Sequence, residues 1–297
     1  MSAVAWRAPG SVPEAMPKLP LSPTSVWSVV KEMRVGDEDL RPLLVGGAPE
    51  QARAIHAALA EGAEPDAVRD LSGKTPSAYD LEGADVLIWA VAGEAAGEED
   101  EKVFQLAARK RVGTVCVVAG SSPDDPPSFP YVLDTDVIVV PAGAPLPVEK
   151  IAERVADRAG EGSHLLARRI PALRKPVGDA IVKHFARQNG VLGVAIFIPG
   201  ADFPVLTLNQ IRMVLRLAAA HGEELDRERA FEVLSVIAAG LGFRTVARHL
   251  VGAVPGFGWA VKGGIAYGAT FAVGEAATAY FAAGGTRAIE RSVRSRS

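Results

Sequence analysis

Three stretches in the first 160 residues are apolar almost without interruption: Ala84–Val91, Val112–Val118 and Val137–Val140. A strand with one wet face alternates apolar and polar residues, whereas an unbroken apolar run is buried on both faces. Segments of helical period lie between these runs. Glu50–Leu59 carries Ala52, Ile55, Ala58 and Leu59 at helical spacing. Glu99–Lys110 puts Val103, Leu106 and Ala107 on one face, and Leu146–Ala159 turns Val148, Ile151, Val155 and Ala156 inward. Leu40–Val45 opens the series as a further strand, and Ala67–Leu71 is a weak segment in the polar stretch 61–80. Doubly buried strands alternating with helices predict a doubly wound parallel sheet.

The opening of that sheet is specific. Leu40–Val45, the pair Gly46-Gly47 and the alanine-rich helix that follows read as strand, glycine turn and helix, the start of a P-loop-NTPase-like α/β domain. Phosphate binding there needs Gly-x-x-x-x-Gly-Lys-Ser/Thr. Counted from Gly46, the last three places hold Gln51, Ala52 and Arg53; counted from Gly47, they hold Ala52, Arg53 and Ala54. Neither register has the second glycine or the lysine–hydroxyl pair. The loop Gly46, Gly47, Gln51, Arg53 therefore reads as vestigial, with Gln51 and Arg53 at or near the space a nucleotide would need.

Two further elements of a guanine-nucleotide site are misplaced or absent. Asp80-Leu81-Glu82-Gly83 has the letters of the magnesium motif, but it precedes a strand instead of following one. The base-reading position after Val112–Val118 holds Ala119-Gly120-Ser121-Ser122, which cannot pair both edge nitrogens of guanine. A triphosphate–magnesium complex would find no fixed partners. The expectation is no catalytic residue, no metal and no cofactor; GTP with magnesium enters only on the alternative of a divergent NTPase that uses Arg53 in place of the lysine.

Other chemistries find no support. His56, His164, His184, His221 and His249 are scattered, with no His-x-x-x-His pair, and the single cysteine, Cys116, lies inside an apolar run. Glu98-Glu99 reads as part of a solvated acidic loop. A net charge of −3 and a pI near 6.0 exclude a nucleic-acid partner for the chain as a whole.

From Gly160 the pattern becomes helical throughout. Ser163–Gln188 is a helix that Pro171 and Pro176 break or kink; Leu206–His221 is amphipathic; Glu228–Val254 is long; and Gly258–Ala283 is apolar. Gly264 and Gly268, four apart, read as a helix-packing contact of small residues. Lys262 and Glu275 interrupt the last apolar stretch, which favours a packed core helix over a membrane span. Arg168, Arg169, Arg174, Lys175, Lys183 and Arg187, with the arginines of the C-terminal tail, offer a basic face for an anionic membrane surface; a solvated helix face is the simpler reading. The organisation expected is a proline-rich disordered tail (1–22), an α/β domain with a leading helix at Val26–Arg34 (23–160), an all-α helical domain (161–285) and a basic tail (286–297). No signal peptide is read at the start, and the location expected is cytoplasmic, with peripheral contact at the inner face of the cell membrane as the alternative.

One segment carries a family resemblance. Ile198-Pro199-Gly200-Ala201-Asp202-Phe203-Pro204, running into a helix with Gln210 and Met213, and then Pro255-Gly256-Phe257-Gly258 followed by Thr270, Gly274 and Tyr280-Phe281, resemble the signature of the bacterial GTPase-associated helical domain of unknown function. The resemblance covers roughly residues 165–283 and marks Pro199, Asp202, Gln210, Pro255 and Gly256 as its structural signature. It implies linkage to Era- or Der-like GTPases, and some members of the family are membrane proteins. The first half is similar in layout to such a GTPase domain but departs from it at each nucleotide-contact motif. Physically, Asp202 would cap the turn into the Leu206 helix and Gln210 would bridge neighbouring helices. The combined expectation is a non-catalytic pseudo-GTPase acting on an unknown protein partner, a second copy of itself or a membrane surface. An integral membrane component is the remaining alternative.

Overall fold

A computed structural model describes residues 41–93, 96–120, 126–195, 202–223 and 258–285. The leading helix at 26–34, the long helix at 228–254 and both expected tails lie outside the described residues. The chain forms β1 (Leu43–Gly47), α1 (Pro49–Ala60), β2 (Val68–Ser72), β3 (Val86–Ala92), α2 (Glu98–Lys110), β4 (Gly113–Ala119), β5 (Val137–Val140) and α3 (Val148–Ala159). Among the described residues four α-helices follow: α4 (Ser163–Arg169), α5 (Arg174–Ala195), α6 (Asp202–Ala220) and α7 (Gly258–Ala282).

The five strands are all parallel, in the order β2-β1-β3-β4-β5, one of the two common doubly wound orders. The fifth strand is β2, where the sequence shows only a weak segment. Among the described residues it lies at the edge of the sheet and pairs with β1 alone, so Arg69 and Asp70 reach solvent and dilute the apolar signal. The interior strands β3 and β4 are buried along nearly their whole length.

The two faces of the sheet are covered differently. On one, Leu44, Leu87, Trp89, Cys116 and Val118 pack under α2 and two irregular connections, with Phe104 of α2 against Phe129, ring centroids 5.7 Å apart. On the other, Leu43, Val45, Ile88, Val115 and Val117 meet α1 and α3. That second core continues without a break into the helical region, through Ile170, Leu173, Val177 and Phe185 to Val214 and Phe281. The change to all-helical structure at residue 160 is therefore not an edge of the core. Arg169, only 6% exposed, locks this junction: its guanidinium donates to Glu64 Oε2 at 3.3 Å, Pro65 O at 3.3 Å and Arg41 O at 3.4 Å. Arg158 of α3 pairs with the buried Asp136 at the start of β5, 2.8 Å away.

Three helix boundaries differ from the sequence reading. Pro171 breaks the expected Ser163–Gln188 helix, since α4 ends at Arg169 and Pro171 begins a short 3-10 turn, but Pro176 falls in the first turn of α5, where a missing N–H is tolerated, and α5 runs on from Arg174 to Ala195. α6 begins at Asp202, not Leu206, and takes Pro204 into its first turn. Glu98 and Glu99 open α2, where carboxylates favour the helix N-terminus, and do not lie in a loop.

Candidate functional site

In an open parallel sheet, ligands bind outside the carboxyl ends of the strands where the strand order reverses. Here that point lies between β1 and β3, above Gly46 and Gly47. These glycines are the last two residues of β1 and remain in register with β2 and β3, so they do not form the expected turn. A single residue, Ala48, separates the strand from Pro49, the first residue of α1. No loop is available to wrap around a phosphate.

The space and the hydrogen bonds at this point are also taken. A β-carbon on Gly46 would stand 2.6 Å from Cζ3 of Trp89, and one on Gly47 would stand 2.1 Å from the carbonyl oxygen of Ala90. Gly47 has φ +99°, which glycine adopts freely. The indole is held from its far side: Trp89 Nε1 donates to Asp100 Oδ1 at 2.7 Å, and the other oxygen of Asp100 accepts the Gly97 N–H at 2.8 Å.

The amides along the carboxyl edge turn back into the sheet. Gly73 N–H donates to Gly47 O (3.3 Å), Ala48 N–H to Ala90 O (2.8 Å), Gly93 N–H to Ala119 O (3.1 Å) and Gly120 N–H to Val140 O (2.9 Å). Each strand is joined to its neighbour one step past its end. In nucleotide-binding folds the N–H groups at such a strand–helix junction point at the phosphates. Here the Ala48 N–H, which stands at that junction, is already engaged.

The remaining loop residues sit on α1. Gln51 is half-buried in its first turn, and Arg53 is exposed. Arg53 Nε donates to the Pro49 carbonyl at 3.0 Å, so the guanidinium folds onto its own helix. The Asp70 carboxyl at the β2 edge is held below its usual range, first by hydrogen bonds from Ser72 and then by the positive groups His56 and Arg53. Asp80 of the misplaced magnesium motif accepts both Ser77 N (2.7 Å) and Ser77 Oγ (2.6 Å) in a turn ahead of β3. Ala119 and Gly120 stand at the end of β4; Ser121 and Ser122 lie outside the described residues. Cys116 is fully buried beside Trp89 on the sheet, and burial pushes its thiol well above the ordinary value, which suits packing rather than attack. Among the described residues, no group of three His, Cys, Asp or Glu side chains could hold a metal ion.

The helical region holds a second convergence of polar groups. Asn189 of α5, 0% exposed, donates through Nδ2 to Thr270 Oγ1 of α7 at 2.8 Å and to Leu206 O of α6 at 3.3 Å, and its Oδ1 accepts Asn209 Nδ2 of α6 at 2.9 Å. Gln210 Nε2 donates to the same Thr270 hydroxyl at 3.2 Å. Gln210 thus bridges α6 and α7 as expected. Asn189 and Asn209 were not legible in advance, because nothing in their local sequence marks them as facing each other. Asp202 is the first residue of α6; Pro199, Pro255 and Gly256 lie outside the described residues.

The close contact between α5 and α7 does not use Gly264 and Gly268. Both are exposed, and among the described residues nothing stands within 4 Å of a β-carbon placed on either. The neighbouring glycines make the approach instead. A β-carbon on Gly263 would lie 2.9 Å from Gly190 O, and one on Gly274 would lie 2.6 Å from Val182 Cγ2.

The basic face expected on α4 and α5 is thinner than its sequence. Arg169 is buried at the junction with the α/β region. Lys175 pairs with Glu149 at 3.0 Å and Asp179 at 3.5 Å, and Arg174 is half-buried with Nη2 on Arg168 O at 3.5 Å. Lys183 and Arg187 remain exposed. Among the described residues no helix is long and apolar enough to cross a membrane.

No protein-family model, no curated protein and no solved structure matches the chain.

Proposed function

We propose that this protein is a non-catalytic pseudo-GTPase: a P-loop-NTPase-type α/β unit that has lost its phosphate site, joined to a helical unit of the GTPase-associated kind and acting through contacts with another protein. The observation that carries this reading is the carboxyl edge at Gly46–Pro49. β1 runs straight into α1, Trp89 fills the side-chain space above Gly46, and the Ala48 N–H is engaged by Ala90. Strand order and the strand–glycine–helix opening support descent from a ligand-binding sheet. The filled edge argues for a retained scaffold without the ligand.

Isothermal titration of the full chain with GTP, GDP and ATP, each with magnesium, tests this reading. The expected result is no saturable heat. Micromolar binding of any of the three would favour the divergent-NTPase alternative. That alternative is already weakened, because Arg53, its replacement for the lysine, folds back onto Pro49.

An anionic membrane surface is the second reading for the partner. Of the described cations on α4 and α5 that the sequence offered for it, Lys183 and Arg187 are the exposed ones not paired to a neighbouring carboxylate above. Two cations give little attraction at physiological ionic strength. Co-sedimentation with phosphatidylserine vesicles checks it, and binding that survives physiological salt would restore the membrane reading.

A further inference from the structure

The face of the sheet under α1 and α3 carries the helical region. The other face is covered by α2 and by the connections 73–85 and 126–136, which contain no α-helix among the described residues. α2 therefore stands as a ridge with a shallower layer on each side. The connection 126–136 is pinned by Phe129 and Val132, 5% and 7% exposed, yet it holds Tyr131 and Leu133 outward at 60% and 56%. Tyr131 sits at φ +68°, a conformation that bulky side chains rarely adopt. Its hydroxyl accepts a hydrogen bond from Gln105 Nε2 of α2 at 3.2 Å. Two large apolar side chains are thus held in water, one of them on a strained backbone. Such strain gathers where a contact or a site uses it, and a fixed, exposed tyrosine is a common interface anchor.

The outward stripe of α2 indicates the occupant. Glu98, Lys102, Gln105 and Arg109 follow one another at helical spacing along it, acidic at the start and basic at the end. Lys102 pairs with Glu98 at 2.7 Å, whereas Arg109 has no carboxylate partner among the described residues. Acid first and base last also suits the dipole of any single helix, so the charge order alone marks no interface. Beside two outward anchors it selects the partner. In a two-fold contact a surface must complement itself. Two α2 helices laid antiparallel set Glu98 of one copy against Arg109 of the other, twice, and Lys102 against Gln105. A parallel pair would set Glu98 against Glu98. The midpoint of the stripe lies between Lys102 and Gln105, so Tyr131, bonded to Gln105, falls beside the two-fold axis. Anchors near the centre of an interface carry most of its energy.

We propose that the α2 face is a two-fold interface with a second copy of this chain, with antiparallel α2 helices at its centre and Tyr131 and Leu133 as its anchors. α2 starts at the carboxyl edge of the sheet, so antiparallel pairing sends the two closed edges to opposite ends and leaves both helical regions on the outside. The contact is independent of whether the carboxyl edge takes a nucleotide.

Sedimentation velocity on the full chain, without nucleotide, tests the contact. The 31.1 kDa chain should pass from monomer to dimer as its concentration rises to about 100 μM. Glu98→Lys and Arg109→Glu each set like charges across the axis, so each variant alone should shift to monomer. An equimolar mixture of the two should dimerise again, because in the mixed pair both contacts join opposite charges. Tyr131→Gly removes the anchor and relieves the backbone. It should weaken association about tenfold, while the dilute monomer keeps its melting temperature. Val191→Glu, at an equally exposed apolar position on α5, should change neither. The proposal is overturned if the chain stays monomeric throughout, as it would with an unlike protein partner only. It is also overturned if a dimer forms that Tyr131→Gly does not weaken, or if the mixed variants stay monomeric although each folds by circular dichroism. Should either charge variant fail to fold, Tyr131→Gly measured against Val191→Glu decides.

Discussion

Trp89 stands over Gly46, so that a β-carbon on Gly46 would come within 2.6 Å of the indole Cζ3. Gly46 and Trp89 are paired across β1 and β3, and the indole N–H is held by Asp100 on α2. The glycine that begins as a phosphate-loop candidate is thus half of a packing pair. The next glycine differs, because its constraint is the backbone itself.

Substitution at the two glycines should separate these constraints. Gly46→Ala must displace an anchored ring, and overpacking of this kind costs about 1–3 kcal/mol. Gly47→Ala meets the Ala90 carbonyl at 2.1 Å and also holds alanine at φ +99°. It should cost more than Gly46→Ala and deplete the folded chain in expression. Urea denaturation followed by circular dichroism ranks the two, and equal stability of both variants with the parent would contradict the packing described.

Removing the ring should not create a binding site. Trp89→Ala is expected to destabilise by about 3–5 kcal/mol, as for a large buried aromatic. It leaves the Ala48 N–H on Ala90 O, so GTP should still fail to bind by titration calorimetry. Gain of nucleotide affinity in Trp89→Ala would mean that the indole alone blocks an otherwise intact cradle.

Arg169 is the side chain that ties the helical region to the sheet region through three acceptors. Arg169→Met keeps the buried stem and removes the donors. Loss of hydrogen bonds from a charged group costs about 1.5–3 kcal/mol, and the loss should appear in the chemical-denaturation midpoint. Arg169→Lys should recover only part of it, because one ammonium cannot reproduce the planar fork.

His221 makes stability depend on pH in a defined direction. Burial lowers its pKa below the ordinary 6.5; Arg174 adds to this, and the Leu217 carbonyl 2.9 Å from Nδ1 and the Glu223 charge oppose it. A base with a lowered folded pKa adds stability that is full above its unfolded value of 6.5. That stability is lost as pH falls through the folded pKa. Melting temperature should therefore drop on acidification below 6.5, and His221→Gln should show a smaller drop over the same window. Parallel curves for the two proteins would contradict the assignment.

Much of the fold is legible in the sequence because burial on both faces leaves a plain mark. β3, β4 and β5 are found within two residues of their observed ends, since nothing polar interrupts them. β2 shows only weakly because its edge position lets Arg69 and Asp70 face water. That the stretch after Gly46 and Gly47 has no lysine–hydroxyl pair is also legible, being a matter of residue types. How the space was closed is not, because Trp89 lies far along the chain from Gly46 and only strand pairing brings them together. The use of Gly263 and Gly274 in place of Gly264 and Gly268 is hidden in the glycine spacing, although Glu275, on the same side of the helix as Gly264 and Gly268, marks that side as the exposed one.

The central claim is that the carboxyl edge of the sheet is closed to phosphate, and the backbone amides of that edge report on it most directly. In a titration of the 15N-labelled chain with GTP and magnesium, the N–H signals of Gly47, Ala48, Glu50 and Gln51 should not move, and Ala48 should stay protected from hydrogen exchange. Saturable shifts of these four amides with micromolar affinity would contradict the account.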